Sequence, residues 1–343
     1  MEPETIVDVP AKVKSGGESS SIGLDRVPPA SVGGLTLISM LVYFWLSGAL
    51  FPADTAGTGM SSAQVTGMSL TYATTTAFML ASLFYMKRRS RSTLDKLVQT
   101  GGLSLEGAAS CGRHDIAMGL GRNVAATIIG LFLGGVQVSW GPIIDRIAEP
   151  SLWMVLGIAI GNMLTWLSVV HVVFRRVLGS LDLLRVGRDS TQIDLLRLDT
   201  LLPYGRIGTL HFLMVVMALS LSAFQSLDAE LRWVNYSAAL AMGIPAGIGL
   251  LLLPMIGIRG NVREAKRQRL DGLDRAIQHA NRDLEPDDLR YLSDLLHQRE
   301  AIGRAREWPL DTTSFSRIAI YFVIPPLAWV GSALVEILIQ SAL

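Results

Sequence analysis

Long apolar runs alternate with short polar and charged connectors from residue 34 onwards. Each run is long enough to cross about 30 Å of hydrocarbon as a helix that rises about 1.5 Å per residue. The runs, called spans one to seven, cover residues 34–52, 65–86, 120–141, 152–174, 207–226, 233–256 and 316–341. The pattern therefore predicts an all-α, polytopic membrane helix bundle with about seven transmembrane helices.

The connectors differ sharply in basic content, and this difference predicts the orientation in the membrane. Those after spans two, four and six carry clusters of Lys and Arg, within residues 87–115, 175–206 and 257–311. The connector after span one holds no basic residue. The connector after span three holds only Arg146, and the one after span five holds only Arg232. Because basic connectors stay in the cytoplasm, we expect a multi-pass inner (plasma) membrane protein with a cytoplasmic N-terminus and a periplasmic C-terminus.

The composition agrees with a membrane protein and excludes some other classes. Of the 343 residues, 50% are hydrophobic and 17% are charged, and the formal net charge is +1. A net charge so close to zero gives no reason to expect a nucleic-acid partner. The single cysteine, Cys111, excludes an intramolecular disulfide.

The patterns divide the chain into four segments. Residues 1–31 are poor in apolar side chains and rich in Gly, Ser and Pro, which predicts a disordered cytoplasmic tail. Residues 32–256 are predicted to form a six-span membrane bundle whose cytoplasmic loops were described above. Residues 257–311 are predicted to form a cytoplasmic helical hairpin, and residues 312–343 the seventh span.

The predicted hairpin rests on two apolar seams with helical spacing. The first seam is Leu270, Leu273, Ile277, Ala280 and Leu284. Glu285-Pro286-Asp287-Asp288 then breaks the first helix and starts the second, whose weaker seam is Leu289, Leu292, Leu296 and Ile302. Either the seams bury each other, or residues 262–306 dock a cytoplasmic protein or a second copy of the chain. We favour the first alternative because short helices joined by a tight turn usually pack together.

Polar groups inside the predicted spans are candidate binding residues because they are unfavourable in lipid. Glu336 in span seven can serve as a proton or cation site, or can equally reach water. Thr74 and Thr75 belong to the hydroxyl-rich span two, which lines a polar path or bonds its own backbone. We interpret Asn162 mainly as an interhelical hydrogen-bonding group. Arg122, at the start of span three, is interpreted as snorkelling, with anion binding as the alternative.

No motif assigns catalytic chemistry to the chain. His171 and His211 lie near the inner ends of spans four and five, where they could approach each other and ligate haem or a metal. They lack supporting carboxylates, so neither a metal site nor a cofactor is predicted. Phosphate-binding glycine loops, HExxH and GxSxG are also lacking, which disfavours a familiar enzyme and leaves no catalytic residue to propose.

Tryptophans and small residues indicate how the spans sit in lipid and against each other. Trp140, Trp153 and Trp233 fall at predicted outer ends and Trp308 at an inner end, where tryptophan anchors helices at the membrane interface. Small residues recur four apart in several spans and predict close helix packing: Ala73 and Ala77, Gly130 and Gly134, Gly157 and Gly161, Gly243 and Gly247.

These patterns support two functional hypotheses. The first is a membrane scaffold or sensor that uses the cytoplasmic hairpin, with the lipid bilayer and a cytoplasmic protein or second copy as partners. The alternative is a transporter or channel for a small solute or ion that uses span two and Glu336. A haem carrier built on His171 and His211 is a third, less favoured hypothesis.

Short segments of the C-terminal half resemble a group of uncharacterised bacterial inner-membrane proteins. They are Leu195 to Pro203, Trp308-Pro309-Leu310-Asp311, Arg317, and Ala328-Trp329-Val330-Gly331 through Glu336. In that group a charged helical hairpin also precedes the last span. The resemblance implies the same topology and carries no activity.

Overall fold

The computed structural model describes part of the chain, and the described part is helical. It covers residues 27–53, 55, 60–99, 103, 119–138, 152–189, 195, 198–226, 233–280, 288–305, 307–308, 316, 318–325, 327–328, 330–331 and 334. Within these residues no strand occurs, which confirms the all-α class there. The α-helices are α1 Pro29–Leu46, α2 Ser62–Gln99, α3 Leu120–Gln137, α4 Leu152–Asp189, α5 Leu202–Leu221, α6 Trp233–Ala280 and α7 Asp288–Arg304.

Four helices in the described part are long and apolar enough to cross a membrane, which indicates a membrane protein. They are Pro29–Leu46, Leu152–Arg188, Leu202–Phe224 and Leu240–Ala280. Helices α2 and α3, which contain predicted spans two and three, are not among them. Hydroxyl side chains between Val65 and Ser82 lower the hydropathy of α2. The count of seven spans and the orientation of the termini stay predictions.

Three pairs of helices that follow each other in the chain pack in opposite directions: α3 with α4, α1 with α2, and α5 with α6. Gly130 of α3 lies against Leu167 of α4, and Gly134 lies against Met163, so residue numbers rise on one helix as they fall on the other. Antiparallel contacts of the same kind join α1 to α2 (Gly33 to Ala81, Ala49 to Ser69) and α5 to α6 (Gly208 to Leu251, Leu219 to Gly243). The close contacts at these glycines confirm that the small residues mediate helix packing.

Helices α2, α4 and α6 run in the same direction. The hydroxyl oxygens of Thr76 and Thr165 lie 3.0 Å apart, and the Arg176 guanidinium donates to the Leu83 carbonyl oxygen, so α2 and α4 are parallel. Val172 shares a buried cluster with Leu250, and the Asn261 amide donates to the Arg188 carbonyl oxygen, so α4 and α6 are parallel as well.

The three parallel helices are also the long ones, and they project past the bundle at the same end. They have 38, 38 and 48 residues, against 18, 18 and 20 for α1, α3 and α5. At about 1.5 Å per residue they exceed the roughly 30 Å of hydrocarbon that a bilayer offers. The C-terminal parts of α2 and α4 and the middle of α6 share a core with Leu103 and with the start of α5. This core, here called the projecting layer, consists of Leu97, Leu103, Leu183, Leu201, Tyr204, Ile207, Ile258 and Val262.

Helix α7 packs along the C-terminal part of α6, and we call residues 262–280 with α7 the helical pair. The Lys266 ammonium donates to the Gly303 and Ala305 carbonyl oxygens at 2.7 and 2.9 Å, which satisfies the end of α7. Farther along α6, the carboxylate of Asp274 lies 2.6 Å from the guanidinium of Arg299. The pair is therefore antiparallel, and its cytoplasmic location stays a prediction because its connector lies outside the described residues.

The core of the helical pair corrects one predicted seam. Leu270, Leu273 and Ile277 of α6 take part in this core, as their spacing predicts. On α7, Ile302 is buried as predicted, but Leu289 and Leu296 are 58% and 50% exposed, so the predicted seam is wrong at both positions, and Leu295, 7% exposed, is buried instead. Leu295 and Ile302 share a face of α7 with Arg299, and the ion pair of Arg299 with Asp274 lies beside their apolar contacts with α6.

Candidate intramembrane binding site

A cavity of about 300 Å³ lies between α2, α3, α4, α5 and α6. Most of its lining is apolar, including Met79, Ile129, Val169, Val215 and Met242. A few polar side chains interrupt this surface: Thr71, Tyr72, Thr75, Gln137, Asn162, Thr165 and Ser222. A mostly apolar concave site with a few polar groups is typical of small-molecule sites, whose volumes begin at about 300 Å³.

Much of the polar lining comes from α2 and α4, while Gln137 of α3 and Ser222, which follows α5, add to it. Thr71 and Thr75 are four residues apart on α2, so their side chains share a face of that helix. Asn162 and Thr165 are three residues apart on α4 and also share a face. The hydroxyl contact of Thr165 with Thr76 fixes the two helices beside each other at this level.

Asn162 joins α4 to α3 by a hydrogen bond. Its amide nitrogen donates to the Gly134 carbonyl oxygen at 2.9 Å. Gly134 has no side chain, so the α3 backbone lies close enough to α4 for this hydrogen bond. The Oδ1 atom of Asn162 is buried without a hydrogen-bond partner in the described part of the chain.

Thr71 presents a second buried polar atom in the same lining. Its Oγ1 has no hydrogen-bond partner among the described residues. A buried polar group without a partner is destabilising by about 1–3 kcal/mol. The described lining holds no Asp, Glu, Lys, Arg or His, and the site is therefore neutral there.

The cavity opens between α3 and α6. Ile129 on α3 is 42% exposed and Met242 on α6 is 44% exposed, although both line the cavity. Helix α3 packs mainly against α4, while α6 packs against α4 and α5. In the described part of the chain, this arrangement leaves a cleft with α4 as its floor and apolar side chains at its rim.

The remaining predicted binding residues lie at different places. Thr75 lines the cavity, whereas the Thr74 hydroxyl donates to the Leu70 carbonyl oxygen of its own helix at 2.7 Å. Arg122 is exposed at the start of α3. Glu336 lies outside the described residues. Their roles in binding stay predictions.

The two histidines bond different neighbours. The Nε2 and Nδ1 atoms of His171 lie 3.3 Å from the Thr127 hydroxyl and 2.9 Å from the Leu167 carbonyl oxygen. His211 is buried, and its Nδ1 lies 3.3 Å from the Ser180 hydroxyl. No group of three or more His, Cys, Asp or Glu side chains that could hold a metal occurs among the described residues.

The predicted interface tryptophans are described in part. Trp153 is exposed near the start of α4, and Trp308 packs its ring 4.4 Å from the guanidinium carbon of Arg259 on α6. Trp233 is the first residue of α6, and its side chain lies outside the description, as does all of Trp140. Anchoring at the membrane interface stays a prediction for all four.

Sequence reasoning missed Thr71 and the contribution of α5 and α6 to the site. Thr71 is four residues from Thr75, and this helical spacing is a signal that could have selected it. Val215 and Ala246 carry no such signal, because an apolar residue that lines a cavity resembles one that faces lipid. Comparison with protein-family models, curated proteins and solved structures finds no match for this chain.

Proposed function

We propose that this protein is an inner-membrane sensor, in which the cavity binds a small molecule and the helical pair carries the response into the cytoplasm. In this proposal seven spans cross the membrane, with the N-terminus in the cytoplasm and the C-terminus in the periplasm. The helical pair then acts on a cytoplasmic protein or a second copy of the chain through residues 262–306.

The observation that carries the proposal is the continuity of α6. Residues Met242 and Ala246 line the cavity, and residues Leu270 to Ala280 of the same helix belong to the helical pair. A continuous helix transmits a displacement along its axis because its hydrogen bonds connect every turn. Pro245, within the cavity-lining part of α6, and Pro254, between the two regions, each remove one of these bonds, which makes α6 easier to bend at these positions.

A second contact links the helical pair to the bundle. Leu195, which lies between α4 and α5 in the chain, packs against the projecting layer and also against the core of the helical pair. Asn261 adds a polar link, because its amide donates to the Gly187 and Arg188 carbonyl oxygens at the end of α4. A shift of α6 therefore changes the surroundings of the helical pair.

The orientation is supported by the charge at the projecting end. The C-terminal parts of α2, α4 and α6 carry Lys87 to Arg91, Arg175 to Arg188 and Arg259 to Arg269. These basic clusters lie at one end because the three helices are parallel. Basic segments are retained in the cytoplasm, so we assign this end to the cytoplasmic face.

Transport of a small solute or ion is the alternative, and the position of Thr75 in the cavity lining favours it. The Thr74 hydroxyl, in contrast, is bonded to its own helix and is a poorer candidate for a path. Solute flux into proteoliposomes that falls with Thr75→Val and persists with Thr74→Val would favour transport over sensing.

Filling the cavity tests the sensor directly without a known ligand. We expect Ala246→Phe to occupy the cavity, add contacts to α6 and slow amide hydrogen exchange in the helical pair by about fivefold or more. Hydrogen–deuterium exchange with mass spectrometry on the full chain in nanodiscs measures this. The coupling free energy between distant sites is typically about 1–3 kcal/mol, which corresponds to a change of roughly 5- to 150-fold.

The matched control is Ile248→Phe, two residues away on the same helix and on its exposed side. It adds the same side chain outside the cavity, so exchange in the helical pair is expected to stay at the wild-type rate. If folded Ala246→Phe protein exchanges the amide hydrogens of its helical pair at the wild-type rate, the proposal that this protein is a sensor is disproved.

A further inference from the structure

We infer that the cavity holds an acyl chain of an anionic phospholipid whose phosphate lies at Arg122. The inference rests on the proposed function, in which α3 and α6 cross the membrane, and it names the ligand of the site. Three features support it: the length of the apolar cavity, its opening toward the bilayer, and a positive charge at one end of that opening.

The cavity is elongated along α4. Its lining on that helix runs from Asn162 to Val177, which is about 22 Å at about 1.5 Å per residue. From Val169 onwards the α4 lining is apolar and includes Val173 and Phe174. One leaflet of a bilayer offers about 15 Å of hydrocarbon, half of the usual thickness of about 30 Å. The cavity is therefore long enough to hold an acyl chain along its length.

The opening between α3 and α6 faces the bilayer in the proposed topology. Ile129 and Met242 line the cavity and are also exposed at its rim. A lipid chain therefore enters sideways without passing through water. A water-soluble ligand would first have to cross the headgroup region, so this opening favours a membrane lipid.

Arg122 lies at the end of this opening. Arg122 and Ile129 are seven residues apart, which is two helical turns, so both lie on the same face of α3, about 10 Å apart along the helix. Thr127 of α3 contacts His171 of α4, and the two helices are antiparallel. Arg122, five residues before Thr127, therefore lies near the level of Val177, where the α4 lining ends.

The rim has no acidic side chain to neutralise Arg122. Helix α3 contains no Asp or Glu, and α6 has no charged residue from Met242 to Ile258. Arg122 is exposed, and no ion pair among the described residues includes it. A guanidinium can bind a phosphate through two parallel hydrogen bonds, and a basic residue at the membrane surface attracts lipids with a net negative charge. The head group that fits this end of the opening is therefore that of an anionic phospholipid.

Brominated lipids test the inference because bromine quenches tryptophan fluorescence on contact and Trp166 lines the cavity. Trp166 lies roughly 15 Å along α4 from the level of Arg122, so the bromines are placed near the end of one acyl chain. Phosphatidylglycerol and phosphatidylcholine with the same brominated chain are titrated separately into nanodiscs of unbrominated phosphatidylcholine. Because the protein has seven tryptophans, the Trp166 signal is the difference between each protein and its Trp166→Phe form.

The wild-type protein is expected to show saturable quenching of Trp166. We expect the half-maximal mole fraction of phosphatidylglycerol to be about fivefold lower than that of phosphatidylcholine, which is the factor that one arginine contributes at a membrane surface. Soluble glycerol phosphate is expected to leave the quenching unchanged, because it lacks the chain that the cavity holds.

Three variants assign the head group and the chain to their sites. Arg122→Gln removes the charge and is expected to reduce the preference for phosphatidylglycerol to less than about twofold. Arg89→Gln is the matched control, since Arg89 is exposed on the projecting part of α2, which does not border the opening, and the preference is expected to stay near fivefold. Ala246→Phe fills the cavity and is expected to abolish saturable quenching by both lipids.

Four results would overturn the inference on the wild-type protein and the head group: no saturable quenching of Trp166, equal half-maximal mole fractions for the two lipids, displacement by glycerol phosphate, or an effect of Arg122→Gln no larger than that of Arg89→Gln. Saturable quenching that persists in Ala246→Phe would show that the chain lies elsewhere.

These outcomes are separate from the test of the sensor. If Ala246→Phe slows exchange in the helical pair but phosphatidylglycerol is not preferred, the ligand class is wrong and the sensor stands. If phosphatidylglycerol is preferred but exchange does not respond, the lipid site stands and the sensor fails.

Discussion

Phe44→Ala is expected to lower the free energy of unfolding by about 3 kcal/mol, which is near the lower end of the range for Phe→Ala in protein cores. The Phe44 side chain is 0% exposed at the end of α1. Its ring lies directly on the backbone of Gly161 in α4, and it packs in a cluster with Val65 and Ala73 of α2. Its loss therefore leaves a void where three helices meet.

The expected value lies at the lower end because lipid is as apolar as the protein interior. Association of helices in a membrane depends on van der Waals packing rather than on removal of apolar surface from water. Trp45→Ala is the matched control, since Trp45 is the next residue, is also aromatic and is 63% exposed. Titration with SDS, monitored by circular dichroism, measures the free energy of unfolding of both variants. A change of equal size in Trp45→Ala would contradict the packing described for α1.

Gly257→Ala is expected to destabilise the bundle by about 1–3 kcal/mol, although alanine is the better helix former. A Cβ at Gly257 of α6 would collide with the Leu184 carbonyl oxygen of α4. A backbone atom cannot turn aside as a side chain can, so α4 and α6 must separate. This separation loosens Leu183 and Ile258 in the projecting layer.

Gly260→Ala provides the control with the opposite sign. Gly260 lies three residues farther along α6, and a Cβ there meets nothing within 4 Å. The substitution is expected to stabilise the protein by about 0.5–1 kcal/mol, which is the usual gain when alanine replaces glycine in a helix. Thermal denaturation in detergent, monitored as the loss of the monodisperse species, distinguishes the two variants. Stabilisation by Gly257→Ala would show that α4 and α6 are not in contact there.

Hydropathy and helical spacing predict the helices well because both are local properties of the chain. Spans four, five and six coincide with helices apolar enough to cross a membrane, and small residues four apart lie at helix contacts. The lengths of α2, α4 and α6 were not predictable in this way. The charged C-terminal parts of α2 and α4 are predicted as loops, and the corresponding part of α6 as a separate helical hairpin. In the structure they continue the helices, and Leu97, Leu183 and Val262 bury each other there.

The candidate site is less predictable because it depends on which side of a helix faces its neighbours. Thr74 and Thr75 are adjacent and chemically identical, and only the packing of α2 turns Thr75 into the cavity. Leu295 and Leu296 show the same limit on α7, where packing against Leu273 of α6 buries Leu295 and leaves Leu296 exposed. Neighbouring positions on a helix point about 100° apart, so an error of one residue moves a side chain to another face.

Cysteine accessibility tests the threading of the chain, on which the sensor depends, most directly. Single cysteines are introduced by Thr58→Cys and Gln278→Cys after Cys111→Ser, and spheroplasts are treated with a membrane-impermeant maleimide. Gln278 is exposed on the helical pair, so its reactivity reports which side of the membrane holds that pair. The account predicts that the cysteine at position 58 reacts in intact spheroplasts and that the one at position 278 reacts only after permeabilisation. Protection at position 58 together with labelling at position 278 in intact spheroplasts would contradict it.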